Sequence, residues 1–242
     1  MLIINADDFG ISTAVNEAID FCITNSLISS TTLLANMPAF DEAVALATKN
    51  SYLSKIGIHF NLVEGYSLTN EIKKCIRFCD ISGQFIYKRN TVYFLKFSEI
   101  SAIRKELKAQ IKKIRKSGVL ISHLDSHRHV HTELPIFLII FDILKKNNIL
   151  KIRIPLNLSQ SNSSRLKIAY KKFYIRMLHI LGFTTVDYFG YYINNYRDKY
   201  INSERKFELM CHPVKSKDKI IDSVFGVDLN FTKKNLILYN DI

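Results

Sequence analysis

The chain has few cysteines, and Cys22, Cys75, Cys79 and Cys211 form neither a CxxC pair nor a framework spacing. That excludes a disulfide scaffold or a zinc ribbon and predicts reduced, mostly buried thiols. No apolar run reaches the length of about 18 residues that a membrane span needs. The N-terminus carries no basic leader, long apolar stretch or small-residue cleavage site, so a cytoplasmic location is expected. Acidic residues are also scarce: 22 Asp and Glu stand against 34 Lys and Arg, a net charge of +12. Such a balance invites a nucleic-acid reading. The basic residues are dispersed, however, and the densest patch, Lys105 to Lys116, lies on an ordinary amphipathic helix. Solvated faces account for the charge, and neither nucleic acid nor membrane is an expected partner. With no repeat and no linker, residues 1–242 read as a single domain, and 48% hydrophobic content with 16 Phe and 12 Tyr excludes disorder.

What is present starts with the first ten residues, MLIINADDFG. Leu2 to Ile4 suffices for a buried strand, yet it runs into two adjacent carboxylates, Asp7 and Asp8. Like charges side by side repel unless a cation or proton lies between them. Polar side chains just past the carboxyl end of a strand are where α/β sheets build their sites. Because Ser12 and Thr13 are available to cap the next helix, the acids are free for other work.

Further along, apolar periodicity predicts helices over residues 13–26, Asp41 to Thr48, Ile100 to Ile114 with Gly118 as the C-cap, Leu134 to Leu144, and Leu166 to Leu181. Strands are predicted at Ser30 to Ala35, Ile56 to Leu62, Val119 onward into SHLDSHRHVH, Lys151 to Pro155, Thr184 to Phe189 and Phe207 to Cys211. Alternation along Ile56 to Leu62 puts Gly57, His59 and Asn61 on one face, an unusual lining for a barrel interior unless something binds there. Residues 64–97, with Phe85, Tyr87, Tyr93, Phe94 and Phe97, read either as a lid or as a satellite hydrophobic cluster. About seven parallel strands alternating with helices predict a single-domain, distorted (β/α) TIM-like barrel.

Five of the seven histidines are concentrated at His59, His123, His127, His129 and His131. Together with Asp8 they point to a mononuclear metal site, since mixed His and carboxylate ligands with an open position mark catalytic centres. One acid of the Asp7–Asp8 pair would ligate while the other accepts a proton from water. Asp125 and His123 suit the support of those imidazoles.

The segments NADDFG, IGIHFNL, HLDSHRHVH, IRIP and ELMCHP, in this order over residues 1 to about 213, resemble the YdjC family of carbohydrate deacetylases. The resemblance implies a distorted barrel that uses a divalent metal to remove acetyl groups from N-acetylated sugars such as N-acetylglucosamine oligosaccharides. It implies Asp8, His59 and His127 as metal ligands, Asp7 as general base and His212 as the acid that protonates the leaving amine. Arg153 would orient the base or the substrate, and Asn61 is a candidate substrate contact. Mg²⁺ is the implied metal, although two imidazoles favour Zn²⁺ or another transition ion by chemistry. A homodimer is also implied. The chain departs from the family at Val214, where glycine is usual, and residues 215–242 match no family pattern. A metal-dependent phosphoesterase and a non-catalytic nucleic-acid-binding protein are the alternative readings.

Overall fold

Strand-forming runs and helical periodicities alternate along the chain, and the fold follows that alternation. A computed structural model describes residues 1–92, 94–158, 164–193, 203–217, 219–229 and 236–242. Strand β1 (Leu2–Phe9) leads into α1 (Thr13–Thr24), whose first turn is capped by Ser12 Oγ accepting from the Val15 amide at 3.4 Å. The cap therefore does not draw on either Asp. Next come β2 (Ser30–Leu33), α2 (Phe40–Lys49), β3 (Ile56–Phe60), the short α3 (Asn70–Lys73) and α4 (Phe97–Lys116). Then follow β4 (Leu124–Ser126), α5 (Leu134–Lys146), α6 (Arg165–Ile180), β5 (Tyr188–Tyr191), β6 (Phe207–Cys211) and a hairpin of β7 (Pro213–Ser216) and β8 (Lys219–Asp222).

Six strands pair in the order β4-β3-β2-β1-β6-β5, all parallel, with β1 at the centre. The architecture is an α/β fold with a curled sheet forming a half-barrel; among the described residues the seventh strand and the TIM-like closure expected from the sequence are not formed. The residues explain why. In the expected strand at Lys151 to Pro155, the Arg153 carbonyl faces the His131 ring, Nε2 at 3.0 Å, and Pro155 has no amide to donate. The ladder there is reduced to isolated bridges, Leu124 with Ile152 and Lys151 with Thr184. Beyond it, the Asn157 and Leu158 amides donate to the Phe189 carbonyl, so this irregular segment spans from β4 toward β5. Similarly, the strand expected from Val119 through SHLDSHRHVH shortens to Leu124–Ser126, and it cannot run on through the histidines because Arg128 and His129 take left-handed φ of 49° and 56°.

Of the aromatic stretch within residues 64–97, Phe85 and Tyr87 join a satellite hydrophobic cluster, with the Phe78 and Tyr87 rings tilted against each other at 4.9 Å, whereas Phe94 and Phe97 are exposed. Tyr93 lies outside the described residues, as do positions 160–163 of a polar loop. All four cysteines are free, three of them buried. Among the described residues no helix is long and apolar enough to cross a membrane.

The inner face of the sheet is polar, which is the departure that positions the site. Asn5 and Asp7 of β1, Thr32 of β2, His59 of β3, Asp125 of β4 and Glu208 of β6 are all buried, at 2% exposure or less. Burying so many polar groups is tolerable only if each is bonded to another. They are: Ser30 Oγ donates to Asn5 Oδ1 at 2.7 Å, and Asn5 Nδ2 donates to Asp7 Oδ1 at 2.9 Å and Thr32 Oγ1 at 3.3 Å.

Candidate metal centre

In a regular strand, neighbouring side chains point to opposite faces, so adjacent Asp7 and Asp8 would not share a site. The end of β1 breaks that rule. Its pairing with β2 slips between Ala6 and Phe9, and Asp8 adopts φ of 68°, a left-handed conformation that costs a non-glycine residue about 1–3 kcal/mol. The result is that both carboxylates line one cleft of about 360 Å³, together with His59, His127 and His212.

Asp8 Oδ1 lies 2.9 Å from His127 Nδ1 and 3.2 Å from His59 Nε2. The three donor groups offer atoms all within 4.8 Å of one another. Ligand atoms about 2.1 Å from a shared ion sit roughly 2.9–3.4 Å apart, so this spacing fits a mononuclear site. Each imidazole is also held through its far nitrogen. His59 Nδ1 donates to Asp125 Oδ1 at 2.7 Å, leaving the Nε2 lone pair facing Asp8, and His127 Nε2 lies 3.0 Å from Glu64 Oε2. A carboxylate on the distal nitrogen fixes tautomer and ring orientation in metal sites generally. A carboxylate and two imidazoles, each so braced, fit a divalent transition ion.

The electrostatics agree with that fit. Burial alone would raise Asp8, but bonds to and charges of His127 and His59 hold it well below the usual carboxylate range. Burial opposes an imidazolium at His59, yet Asp125, Asp8 and Asp7 together outweigh it, lifting His59 to about 10 in the metal-free protein. Asp7 is likewise pushed up by burial and pulled far down by Arg153. The Arg153 guanidinium meets Asp7 in two parallel bonds, Nη1 to Oδ2 and Nη2 to Oδ1, both 2.7 Å. It also reaches Asp125 Oδ2 and Glu208 Oε1, each at 2.7 Å.

His212 follows β6 directly and lines the same cleft. Its backbone amide donates to Asp222 Oδ2 at 2.7 Å, while its ring Nδ1 stands 3.8 Å from that oxygen, an ion-pair distance rather than a hydrogen bond. Burial opposes its charge, but Asp222, Asp7 and Asp8 together raise it above the ordinary histidine value. Asp222 comes from β8, in the segment beyond residue 215 expected to lie outside the family pattern.

Two other expected positions are placed differently from a substrate contact. Arg153 is fully buried and spends its donors on Asp7, Asp125 and Glu208. Its place beneath Asp7 fits the expected role of orienting that carboxylate. Asn61 is also fully buried; its amide bonds Asn36 Oδ1 and the Glu64 carbonyl, and its Oδ1 accepts the Val63 and Glu64 amides. It shapes the turn that presents Glu64 to His127. The remaining histidines divide by role: His131 braces Ser126 and Arg153 inside the fold, His123 packs beneath the site, and His129 lines the cleft. Glu64 and Asp222 escaped the sequence reading, because nothing in their local patterns distinguishes them from surface acids.

A second cavity of about 860 Å³ shares Arg89, His129 and Tyr191 with the cleft and extends it past Lys167, Tyr170 and Lys171.

Comparison with known proteins places this geometry in context. A model of the family described as "YdjC-like protein" matches residues 1–233. A carbohydrate deacetylase of Clostridium beijerinckii is 37% identical over 148 residues, 61% of this chain and 58% of that protein. One from Halalkalibacterium halodurans is 38% identical over 149 residues, 60% of each chain. The chain thus spans about 58–60% of the length of these curated relatives. A solved structure from Enterococcus faecalis V583, provisionally described as a cellobiose-phosphate cleavage protein, superposes with a TM-score of 0.69 at 26% identity, covering 89% of this chain and 82% of that one.

Proposed function

The chain belongs to the YdjC-like protein family, and from that membership and the donor geometry we propose that it is a metal-dependent hydrolase that removes the acetyl group from an N-acetylated sugar. The substrate class proposed is an oligosaccharide containing N-acetylglucosamine. The observation that carries the proposal is convergence: the donors of Asp8, His59 and His127 meet beside the cleft that Asp7 and His212 also line. Relatives named carbohydrate deacetylase support the same chemistry.

A divalent ion held by Asp8, His59 and His127 would acidify a water and stabilise negative charge developing on the amide oxygen. The chain's own residues supply the rest. Asp7, kept ionised by Arg153, accepts the proton of the attacking water. A carboxylate held this low is a weak base, so its contribution falls toward the lower end of the about 10²–10⁴-fold typical of such groups. His212, whose protonated form Asp222 favours, delivers a proton to the amine nitrogen as the C–N bond breaks and acetate leaves. The donor set favours Zn²⁺, Mn²⁺ or Co²⁺ over the Mg²⁺ that the resemblance implies.

The adjoining cavity suits a sugar that carries an anionic group, since Arg89, Lys167 and Lys171 line it with no carboxylate among its described lining residues, the nearest acidic partner being Glu133, 4.0 Å behind Arg89. The cellobiose phosphate of the Enterococcus faecalis neighbour's description is chemistry of that class. The proposal extends to a homodimer, to be checked by light scattering. The decisive assay measures acetate release from neutral and phosphorylated chito-oligosaccharides, with the protein stripped of metal and then given Mg²⁺, Zn²⁺, Mn²⁺ or Co²⁺. Acetate with at least one ion supports the reading. Phosphate release without acetate, or no product with any ion, overturns it.

A further inference from the structure

The last seven residues, 236–242, return to the base of the sheet. Leu236 bridges Leu2 in parallel fashion, and the Ile237 amide donates to the Leu2 carbonyl at 3.0 Å. This carries Tyr239, only 1% exposed, beneath the polar interior. Its ring stacks on His123 with centroids 3.5 Å apart and planes 8° from parallel. Its carbonyl accepts from Lys151 Nζ at 2.6 Å, so both ring and backbone are held. Its phenol donates to Glu208 Oε2. From there the bonds run without a break: Glu208 Oε1 accepts Arg153 Nε at 2.7 Å, and Arg153 grips Asp7 with both terminal nitrogens.

We infer that Tyr239 is a positioning residue of the active site, acting through Glu208 and Arg153 on the orientation of Asp7. The inference rests on the reading of Asp7 as the base. A guanidinium has a fixed fork geometry, so the angle at which Arg153 presents its terminal nitrogens to Asp7 depends on what anchors its Nε edge. Glu208 is that anchor. Burial pushes the Glu208 carboxyl up to about 7, with Arg153 and the Tyr239 hydroxyl opposing the rise. Without the phenol, Glu208 Oε2 loses its donor in a fully buried place, and the anionic anchor weakens.

The test is Tyr239→Phe, which keeps the ring against His123 and removes only the hydroxyl. Groups supporting a catalytic residue at one remove typically cost 10–100-fold when altered, so kcat for acetate release should fall about ten-fold while KM and metal affinity stay within about two-fold. Glu208→Gln should lose as much, and the double variant should be no worse than Glu208→Gln alone, because both changes break one chain. A readout independent of turnover is the Arg153 Nε–H signal in a ¹H–¹⁵N spectrum. In Tyr239→Phe it should shift and exchange with solvent about ten-fold faster. An unchanged kcat, losses that multiply in the double variant, or an unmoved Arg153 signal would overturn the inference. If Tyr239→Phe does not fold, Glu208→Gln alone decides, a selective loss of kcat supporting the inference and an unaltered kcat refuting it. If the wild-type protein releases no acetate, the proposed function fails while the Arg153 signal still tests the chain of bonds.

Discussion

Replacing Asp125 with Asn isolates the part of the site that sets a tautomer. Asp125 is fully buried and its two oxygens serve three donors: His59 Nδ1 at 2.7 Å on Oδ1, with Thr32 Oγ1 at 3.0 Å and Arg153 Nη1 at 2.7 Å on Oδ2. An amide has one oxygen and one NH₂, so it cannot serve both sides. The guanidinium cannot give up its protons, and the Asn oxygen therefore turns toward Arg153 and Thr32. The NH₂ then faces His59 Nδ1, which must become an acceptor, and the ring proton moves to Nε2, the atom that faces Asp8. A protonated Nε2 cannot ligate. The expected loss of metal affinity is at least 10–100-fold, or about 1.4–2.7 kcal/mol. Weakening a charge-assisted bond to Arg153 should also lower stability by about 1.5–3 kcal/mol, less than for a lone buried pair because Asp7 and Glu208 still hold the guanidinium. Chelator-competition titration with Zn²⁺ or Co²⁺ measures the first effect, and denaturant unfolding of the stripped protein measures the second. Wild-type metal affinity in a folded Asp125→Asn protein would show that Asp125 does not set the His59 tautomer.

Asp7→Asn should keep its metal and lose turnover by about 10²-fold, whereas His127→Ala should lose both; near-wild-type rates in both variants would remove them from their roles. His212 lies above its ordinary value when folded, so its stabilising charge is present below the unfolded value and is lost as pH rises through the folded one. Activity should fall along that alkaline limb, and Asp222→Asn, which removes the largest raising influence, should shift the limb to lower pH; a limb that does not move rejects His212 as the acid. In the metal-free protein His59 sits near 10, so at pH 8 metal binding should displace about one proton, measured by calorimetry in buffers of different ionisation heat. No buffer dependence would contradict His59 as a ligand.

How much of this was legible beforehand depends on whether a residue's role is local. The alternation in Ile56 to Leu62 exposed the polar interior, since period two survives into the folded strand, and His59 is buried on that inner face. The Asp7–Asp8 pair was conspicuous, but the turn of Asp8 into φ of 68°, which brings both acids to one cleft, is a tertiary decision. Lys151 to Pro155 looked like a strand by composition; its first residues do bridge Leu124 and Thr184, but the ladder stops where the Arg153 carbonyl meets His131, 22 residues away in sequence. Glu64 and Asp222 brace histidines from loops and a hairpin edge, and no periodicity marks such positions. No family pattern was expected beyond residue 215, but the family model runs to residue 233 and so includes Asp222; that segment and the stretch after it supply Asp222 and Tyr239, whose partners lie elsewhere in the chain.

The buried charge ties these observations together. Asp7, Asp125 and Glu208 face a single guanidinium, Arg153, within an interior from which water is largely excluded, and Asp8 adds a fourth carboxylate at the cleft, beside His59 and His127. Unpaired buried carboxylates are expensive, and the usual escape is protonation. Burial moves Glu208 in that direction, to about 7, while Asp7 and Asp8 are held ionised. The excess negative charge is thus concentrated at the cleft end, where a divalent cation and the imidazolium of His212 would balance it. At the opposite end, Tyr239 and Glu208 close the array with a group that can approach neutrality. A polar interior graded in this way is costly as a core and makes sense as a preorganised field. It also explains why residues at the far end of the chain matter to chemistry at the cleft: moving any member changes the balance felt by all the others.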